Sequence, residues 1–145
     1  MSLRLTLKPG ELVVVNGCAI RNADRRQVLL IENQADIVRG KDLISAEEAA
    51  TPVSRVYFLI QTALVDAAER ERVVPQVQQR LGVLATVFGT ERVGHVFRAA
   101  NHVSTGDYYK ALAEMRHLLS HEQNLLRHGA RRGAAAREEH LRAAP

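Results

Sequence analysis

The stretch from Leu3 to Glu32 constrains the fold more than any other part of the chain. Its first segment, LRLTL at 3–7, alternates apolar and polar side chains. A period of two is typical of a half-buried β-strand. Breaks follow at Pro9-Gly10, at Asn16-Gly17 and at residues 22–26, and Asn16-Gly17 suits a two-residue type I′ hairpin turn. The pattern therefore predicts an antiparallel β-meander of four strands.

Residues 35–39 can form a fifth strand that ends at Gly40, so the predicted β-sheet region covers residues 1–44. Several strands are apolar on both faces, as in the segment LVVV at 12–15. Such a strand needs a second layer of structure over each face. That layer is either the helices that follow or another copy of the sheet, which leaves a homodimer or a higher oligomer open.

Helical spacing begins at Ser45. The segment SAEE at 45–48 has the form of a capping box, and Thr51-Pro52 is a second start signal, with threonine as N-cap and proline in the first turn. The apolar spacing then predicts four helices, the last two of which form an antiparallel helical hairpin. Their expected ranges are about 52–68, 74–88, 91–103 and 108–126.

The apolar stripes of these helices also predict the core. Tyr57, Ile60 and Leu64 should be nearly fully buried, and Phe97 and Leu126 are expected to point inward. The predicted fold is thus α+β, with a small N-terminal antiparallel meander of about four or five strands followed by about four helices. The helical region, residues 45–127, should pack on the sheet, and the Arg- and Ala-rich residues 128–145 should form a flexible tail.

Length and composition limit the classes of protein that the chain can represent. With 145 residues and 46% hydrophobic content, it predicts one compact domain or a small domain with an appendage. The sequence contains no run of about 18 uncharged apolar residues, so a membrane span is not expected. The first residues contain no apolar signal segment, and the single cysteine cannot form an intramolecular disulfide. Together these features favour a cytoplasmic location.

The charge is mildly basic and unevenly distributed. Lysine and arginine number 20 against 16 acidic residues, a net charge of +4. From Arg127 to Pro145 there are five arginines and two glutamates, which contribute +3 of that excess. The remainder of the chain is almost neutral, so an interaction with a polyanion has to rest on a local basic patch.

Several blocks of sequence resemble the FlbT family of flagellar biosynthesis repressors. The blocks are LTLKPGE, VVVNG, IRN at 20–22, DRR at 24–26, LLIENQADI and, near the other end, GDYYKAL at 106–112. Their order and spacing fit the family over roughly residues 2–126, and the tail lies outside the resemblance. The resemblance implies a small cytoplasmic regulator that acts after transcription. It would bind the 5′ leader of a flagellin messenger RNA and alter its translation or stability.

The residues themselves show no catalytic constellation and no Gly-rich phosphate loop, so we predict neither an enzyme nor a cofactor. Cys18 lies in an apolar strand and is expected to be buried and inert. His117 and His121 are one helical turn apart, and His102 could approach from the preceding helix, but the glutamate that usually follows the first histidine of a zinc motif is missing. We therefore predict no metal site.

One cluster of basic residues is the candidate for RNA binding. In a meander the turns at 9–10 and 22–26 lie at the same end of the sheet, which makes that end cationic. Guanidinium groups pair with phosphates and stack on splayed bases, and an asparagine can hydrogen-bond to a base edge. The inferred RNA-binding residues are Lys8, Arg21, Asn22, Arg25 and Arg26.

Two alternatives stay open from the sequence. The basic turns can be ordinary solvated loops, since the sheet region has no aromatic residue on which bases could stack. The chain can also be a protein-binding adaptor or chaperone-like partner for flagellin, for flagellar export components or for other flagellar regulatory proteins. In that case the helical hairpin would supply the contact surface.

Overall fold

The computed structural model describes the backbone of residues 2–143 and the side chains of residues 2–129. Within that range the chain is α+β, with five short strands followed by four α-helices, so the predicted class and order of elements are confirmed. The strands are β1 (Leu3–Leu7), β2 (Leu12–Val15), β3 (Cys18–Arg21), β4 (Gln27–Ile31) and β5 (Ile37–Arg39). The helices are α1 (Pro52–Val65), α2 (Arg70–Val87), α3 (Val93–Ser104) and α4 (Tyr108–Ala143).

The strands pair in an order that differs from a simple meander. β1 pairs with β4, with Leu3 opposite Ile31, and β2 lies between β3 and β5 in a second antiparallel sheet. The two sheets enclose a small core of Leu5, Leu7 and Val13. The first strand therefore bypasses the second and pairs with the fourth, because its apolar row and that of β2 contribute to the same core.

The hairpin turn between β2 and β3 has the predicted geometry. Asn16 has a φ of 50° and Gly17 a φ of 80°, and both values are positive, as a type I′ turn requires. A Cβ atom at Gly17 would lie 2.9 Å from the backbone oxygen of Leu64, so the tip of the hairpin also touches the end of α1. Glycine is needed here for its conformation and for this close approach.

Helix α1 begins as predicted and ends slightly early. The Thr51 side chain accepts a hydrogen bond from the backbone N–H of Ser54, and Pro52 is the first helical residue. The helix ends at Val65 because Asp66 caps a short 3-10 turn, its Oδ1 accepting from the N–H of Ala68 at 3.1 Å. The predicted 45–48 capping box is formed too, although it closes a turn and not a helix.

The main core lies among the helices and one face of the sheet formed by β2, β3 and β5. Tyr57 and Ile60 are fully buried and Leu64 nearly so, as predicted. They belong to a cluster that joins Val14 and Val38 of the sheet to apolar residues of all four helices. Helix α1 is the central element, since it packs against both α2 and α4.

The later helices differ from the prediction at their ends. The predicted start at residue 74 would place Pro75 in the first turn of α2. The helix begins at Arg70 instead, so Pro75 lies inside it. Helices α3 and α4 form the predicted antiparallel hairpin, and Asp107 caps α4 by accepting from the N–H of Lys110 at 3.1 Å. No helix in the described part of the chain is long and apolar enough to cross a membrane.

Helix α4 continues to Ala143, well past the predicted end at Leu126. Two residues predicted to point inward are exposed, namely Leu126 at 58% and Phe97 of α3 at 61%. The tail at 128–145 is predicted to be flexible. Its side chains from residue 130 onward lie outside the described residues, so this flexibility stays a prediction.

A polar network joins the sheets to the helices. The Tyr57 hydroxyl donates a hydrogen bond to the backbone oxygen of Asp42, and the Arg116 guanidinium lies 3.6 Å from the Asp42 carboxylate. Burial raises the pKa of Tyr57 to about 12, and the nearby Arg116 only partly opposes that rise. The network fixes the segment after β5 against both α1 and α4.

Candidate nucleic-acid interface

The two basic turns meet at one end of the β-structure, as the sequence predicted. The N–H of Gly10 donates to the backbone oxygens of Asn22 and Ala23 at 2.9 and 3.0 Å, and the N–H of Asn22 donates to the oxygen of Glu11 at 2.9 Å. The turns are thus hydrogen-bonded to each other even though the strands pair in an unexpected order.

The side chain of Asn22 holds this arrangement together. Its Nδ2 atom lies 3.2, 2.9 and 2.7 Å from the backbone oxygens of Leu7, Lys8 and Arg25. All three partners are acceptors, so the amide nitrogen has to face them. The side chain is half-buried between the turns, where its N–H groups serve the fold.

A cavity of about 450 Å³ opens beside the turns. It contains two of the predicted residues, Lys8 and Arg26, and two basic residues that the sequence analysis did not select, Arg39 and Lys41. Arg39 ends β5 and Lys41 lies in the 3-10 turn that follows it, so both reach the cavity through the pairing of β5 with β2. The segment RGK at 39–41 is a visible signal in the sequence, but its position depends on that long-range pairing.

Arg21 and Arg25 do not line this cavity. Arg21 is exposed, and its Nη1 donates to the backbone oxygen of Gly10 at 2.8 Å. Arg25 is exposed at the other turn. The structure therefore places the five predicted residues at one end of the molecule but brings only Lys8 and Arg26 into the same concave surface.

One carboxylate balances part of the charge in the cavity. Glu11 accepts hydrogen bonds from the backbone N–H of Lys8 and from Nη2 of Arg39, both at 3.1 Å, and Arg39 also donates to the backbone oxygen of Thr6 at 3.0 Å. The N–H of Lys8 and the guanidinium of Arg39 lower the pKa of Glu11, so the group is ionised at neutral pH. With four cationic side chains and one carboxylate, the lining carries a net charge of +3 and suits an anionic ligand such as a phosphate group.

The other candidate residues lie elsewhere. Cys18 is exposed on the edge strand β3, which corrects the expectation of a buried thiol. His117 stacks on His95 with 4.6 Å between ring centroids, whereas His121 lies beside Phe88. The residues that the structure describes contain no group of three or more side chains able to hold a metal ion.

The histidine pair belongs to an ionic cluster between α3 and α4. Glu114 lies 2.7 Å from Nδ1 of His95 and 3.1 Å from Nε of Arg98. Partial burial alone would raise the pKa of Glu114, but the hydrogen bonds from His95 and Arg98 outweigh it and lower the pKa below its usual 4.5. The cluster links the two helices of the hairpin and is separate from the cationic cavity.

Comparison with known proteins gives a consistent result. The family model described as "Flagellar protein FlbT" matches residues 3–126. A probable flagellum biosynthesis repressor protein FlbT from Caulobacter sp. (strain K31) is 36% identical over 129 residues, covering 88% of this chain and 98% of the relative. The flagellum biosynthesis repressor protein FlbT of Caulobacter vibrioides (strain ATCC 19089 / CIP 103742 / CB 15) is 33% identical, with 88% and 92% coverage. A probable FlbT of Rhodopseudomonas palustris (strain TIE-1) is also 33% identical, with 87% and 98% coverage. No solved structure matches the chain.

Proposed function

This chain belongs to the FlbT family of flagellar proteins, and from that premise we propose that it binds the 5′ leader of a flagellin messenger RNA and alters its translation or stability. In this proposal it is a cytoplasmic regulator that performs no catalysis. The relatives are named as repressors of flagellum biosynthesis, which supports a regulatory role over an enzymatic one.

The observation that supports RNA as the ligand is the cationic cavity. Its basic side chains come from the turn after β1, from the turn before β4, and from β5 and the 3-10 turn after it, so their convergence is a product of the fold. Arg26 and Lys41 are exposed and free to contact phosphate oxygens. Arg39 is held by Glu11 and Thr6, which fixes its position in the wall of the cavity.

The structure also changes which residues we assign to the contact. Because the N–H groups of Asn22 are used within the turns, we remove Asn22 from the proposed base contact. Arg21 and Arg25 do not line the cavity and would assist only as additional charges at the same end of the β-structure. The proposed contact residues are Lys8, Arg26, Arg39 and Lys41.

The test is a fluorescence anisotropy titration of a flagellin leader RNA with the variant Arg26→Ala/Lys41→Ala. Its matched control is Arg55→Ala/Lys110→Ala, which removes one exposed arginine and one exposed lysine from the helices. We expect the cavity variant to bind more weakly and with a shallower salt dependence, by about 0.7 in slope for each lost phosphate contact. Equal binding by the cavity variant and the control would contradict the proposed site.

A second candidate, the protein-binding adaptor, is favoured by the exposure of Phe97 on α3. A large aromatic side chain that is 61% exposed on the helical hairpin is suited to a protein contact. If the parent chain binds no leader RNA at low salt but binds flagellin or an export component, and Phe97→Ser abolishes that binding, the adaptor function replaces the RNA-binding one.

A further inference from the structure

The two-stranded ribbon of β1 and β4 has one buried and one exposed face. Leu5 lies opposite Leu29, and both face the small core between the sheets. The alternate residues face outward, so Arg4 lies opposite Leu30 and Thr6 opposite Val28. Val28 is 43% exposed and Leu30 is 59% exposed. The outer face therefore presents apolar side chains on one strand beside polar and basic side chains on the other.

This outer face leads directly into the cationic cavity. Thr6 belongs to both, because it lies on the outer row of β1 and also lines the cavity. The alternation continued one step past the strands reaches Lys8 after β1 and Arg26 before β4, and both line the cavity. The ribbon face and the cavity thus form one surface. Arg4 lies near one end of this surface, and the basic residues of the cavity lie at the other end.

We propose that a single-stranded segment of RNA lies along this face, with phosphates at the basic residues and unpaired bases against Val28 and Leu30. The inference rests on the proposed function and specifies which form of RNA the site takes. Residues on the same side of a strand are about 7 Å apart, so each outward-facing position of the ribbon can meet a separate nucleotide of an extended strand.

The chemistry of the face favours a single strand over a duplex. Valine and leucine side chains cannot hydrogen-bond to base edges, so they suit contact with the flat faces of bases, which a duplex keeps within its stack. A duplex would present its phosphates, its 2′-hydroxyls and the base edges of its minor groove, all of which are polar, and would leave these apolar groups without a favourable partner. The nearby acidic groups are Glu11 in the cavity, Asp24 in the turn before β4 and Glu32 just after β4. The basic residues of the face and the cavity outnumber them, namely Arg4, Lys8, Arg26, Arg39 and Lys41.

The experiment uses the full chain with the substitutions Val28→Thr and Leu30→Gln, which remove apolar surface without changing charge. The matched control is Val83→Thr and Leu125→Gln, because these residues of α2 and α4 are similarly exposed, at 60% and 57%. The two probes are a single-stranded RNA taken from a flagellin leader and the same sequence paired with its complement. Circular dichroism and urea unfolding verify that each variant is folded.

We expect the parent to prefer the single strand, and the ribbon variant to bind it about tenfold more weakly, because two apolar contacts with the faces of bases are lost. Its salt slope should stay unchanged, because no phosphate contact is lost, and its binding to the duplex should not change. A parent that prefers duplex RNA, or a folded ribbon variant with parental affinity for the single strand, would overturn the inference while leaving the cavity proposal intact. A parent that binds neither probe would overturn both, and a loss of self-association without a change in RNA affinity would identify the face as a contact between copies of the chain.

Discussion

Replacing Asn22 with alanine should destabilise the whole fold, although the residue lies in a surface turn. Its amide nitrogen is the donor to three backbone oxygens, at 2.7 to 3.2 Å, on both sides of the junction between the turns. Alanine removes the donors and leaves these oxygens facing a gap that is partly closed to water.

The size of the effect follows from the number of bonds. The two N–H groups of the amide can make two full hydrogen bonds, and each contributes about 1 kcal/mol net, so the loss should be about 2 kcal/mol. Aspartate has nearly the same shape but would direct a carboxylate at the same three oxygens. Asn22→Asp should therefore destabilise the protein at least as much as Asn22→Ala.

The measurement is urea unfolding followed by circular dichroism, with Arg25→Ala as the control. Arg25 is exposed and contributes only its backbone oxygen to the junction, so that variant should change stability by less than about 0.5 kcal/mol. The reasoning is refuted if Asn22→Ala is no more destabilising than Arg25→Ala, because the amide would then be an ordinary surface group.

Four further outcomes are expected. Ile60→Ala should lower the free energy of unfolding by about 2–5 kcal/mol in urea, since Ile60 is fully buried, and a loss below about 0.5 kcal/mol would make α1 peripheral. Removing Gly129–Pro145 should leave the melting temperature almost unchanged, since Leu125 and Leu126 before it are already exposed. If the shortened protein aggregates, the tail contributes to the folded structure. Because the fold raises the pKa of Tyr57 from 10 to about 12, the stabilisation from its neutral form should be fully present below pH 10 and be lost as the pH rises through about 12. The parent and Tyr57→Phe should therefore differ in the pH dependence of unfolding across that window, and parallel curves would contradict this. Light scattering should give a mass above the 16.1 kDa of one chain, and a monomer would contradict the predicted assembly.

Local signals in the sequence were sufficient where a few neighbouring residues determine the structure. Asn16-Gly17 forms its turn because these two residues accept positive φ angles, and Thr51-Pro52 starts α1 because threonine caps and proline fits the first turn. The same holds for the buried stripe of α1, in which helical spacing selects one face. These features need no knowledge of distant parts of the chain.

Features that depend on long-range pairing could not be predicted in this way. Alternation identifies a strand but not its partner, so the β1–β4 ribbon was missed, and with it the outward face of Val28 and Leu30. Arg39 reaches the cavity only because β5 pairs with β2, where it lies opposite Val13. The burial of Phe97 could not be predicted for a different reason. An apolar residue at the margin of a helical stripe can lie either inside or outside the packed face.

The hydrogen bond from Tyr57 to Asp42 and the ion pair between Arg116 and Asp42 have a thermodynamic consequence. Arg39 lies three residues before Asp42 and Lys41 directly before it, so two lining residues of the cavity belong to a segment that is bound to α1 and α4. A ligand that binds only the folded chain stabilises it by about 2.7 kcal/mol when its concentration is 100 times its dissociation constant. Through this segment, occupancy of the cavity should raise the melting temperature of helices that supply none of its lining residues, and a simple thermal melt can therefore report on a ligand held at the sheets.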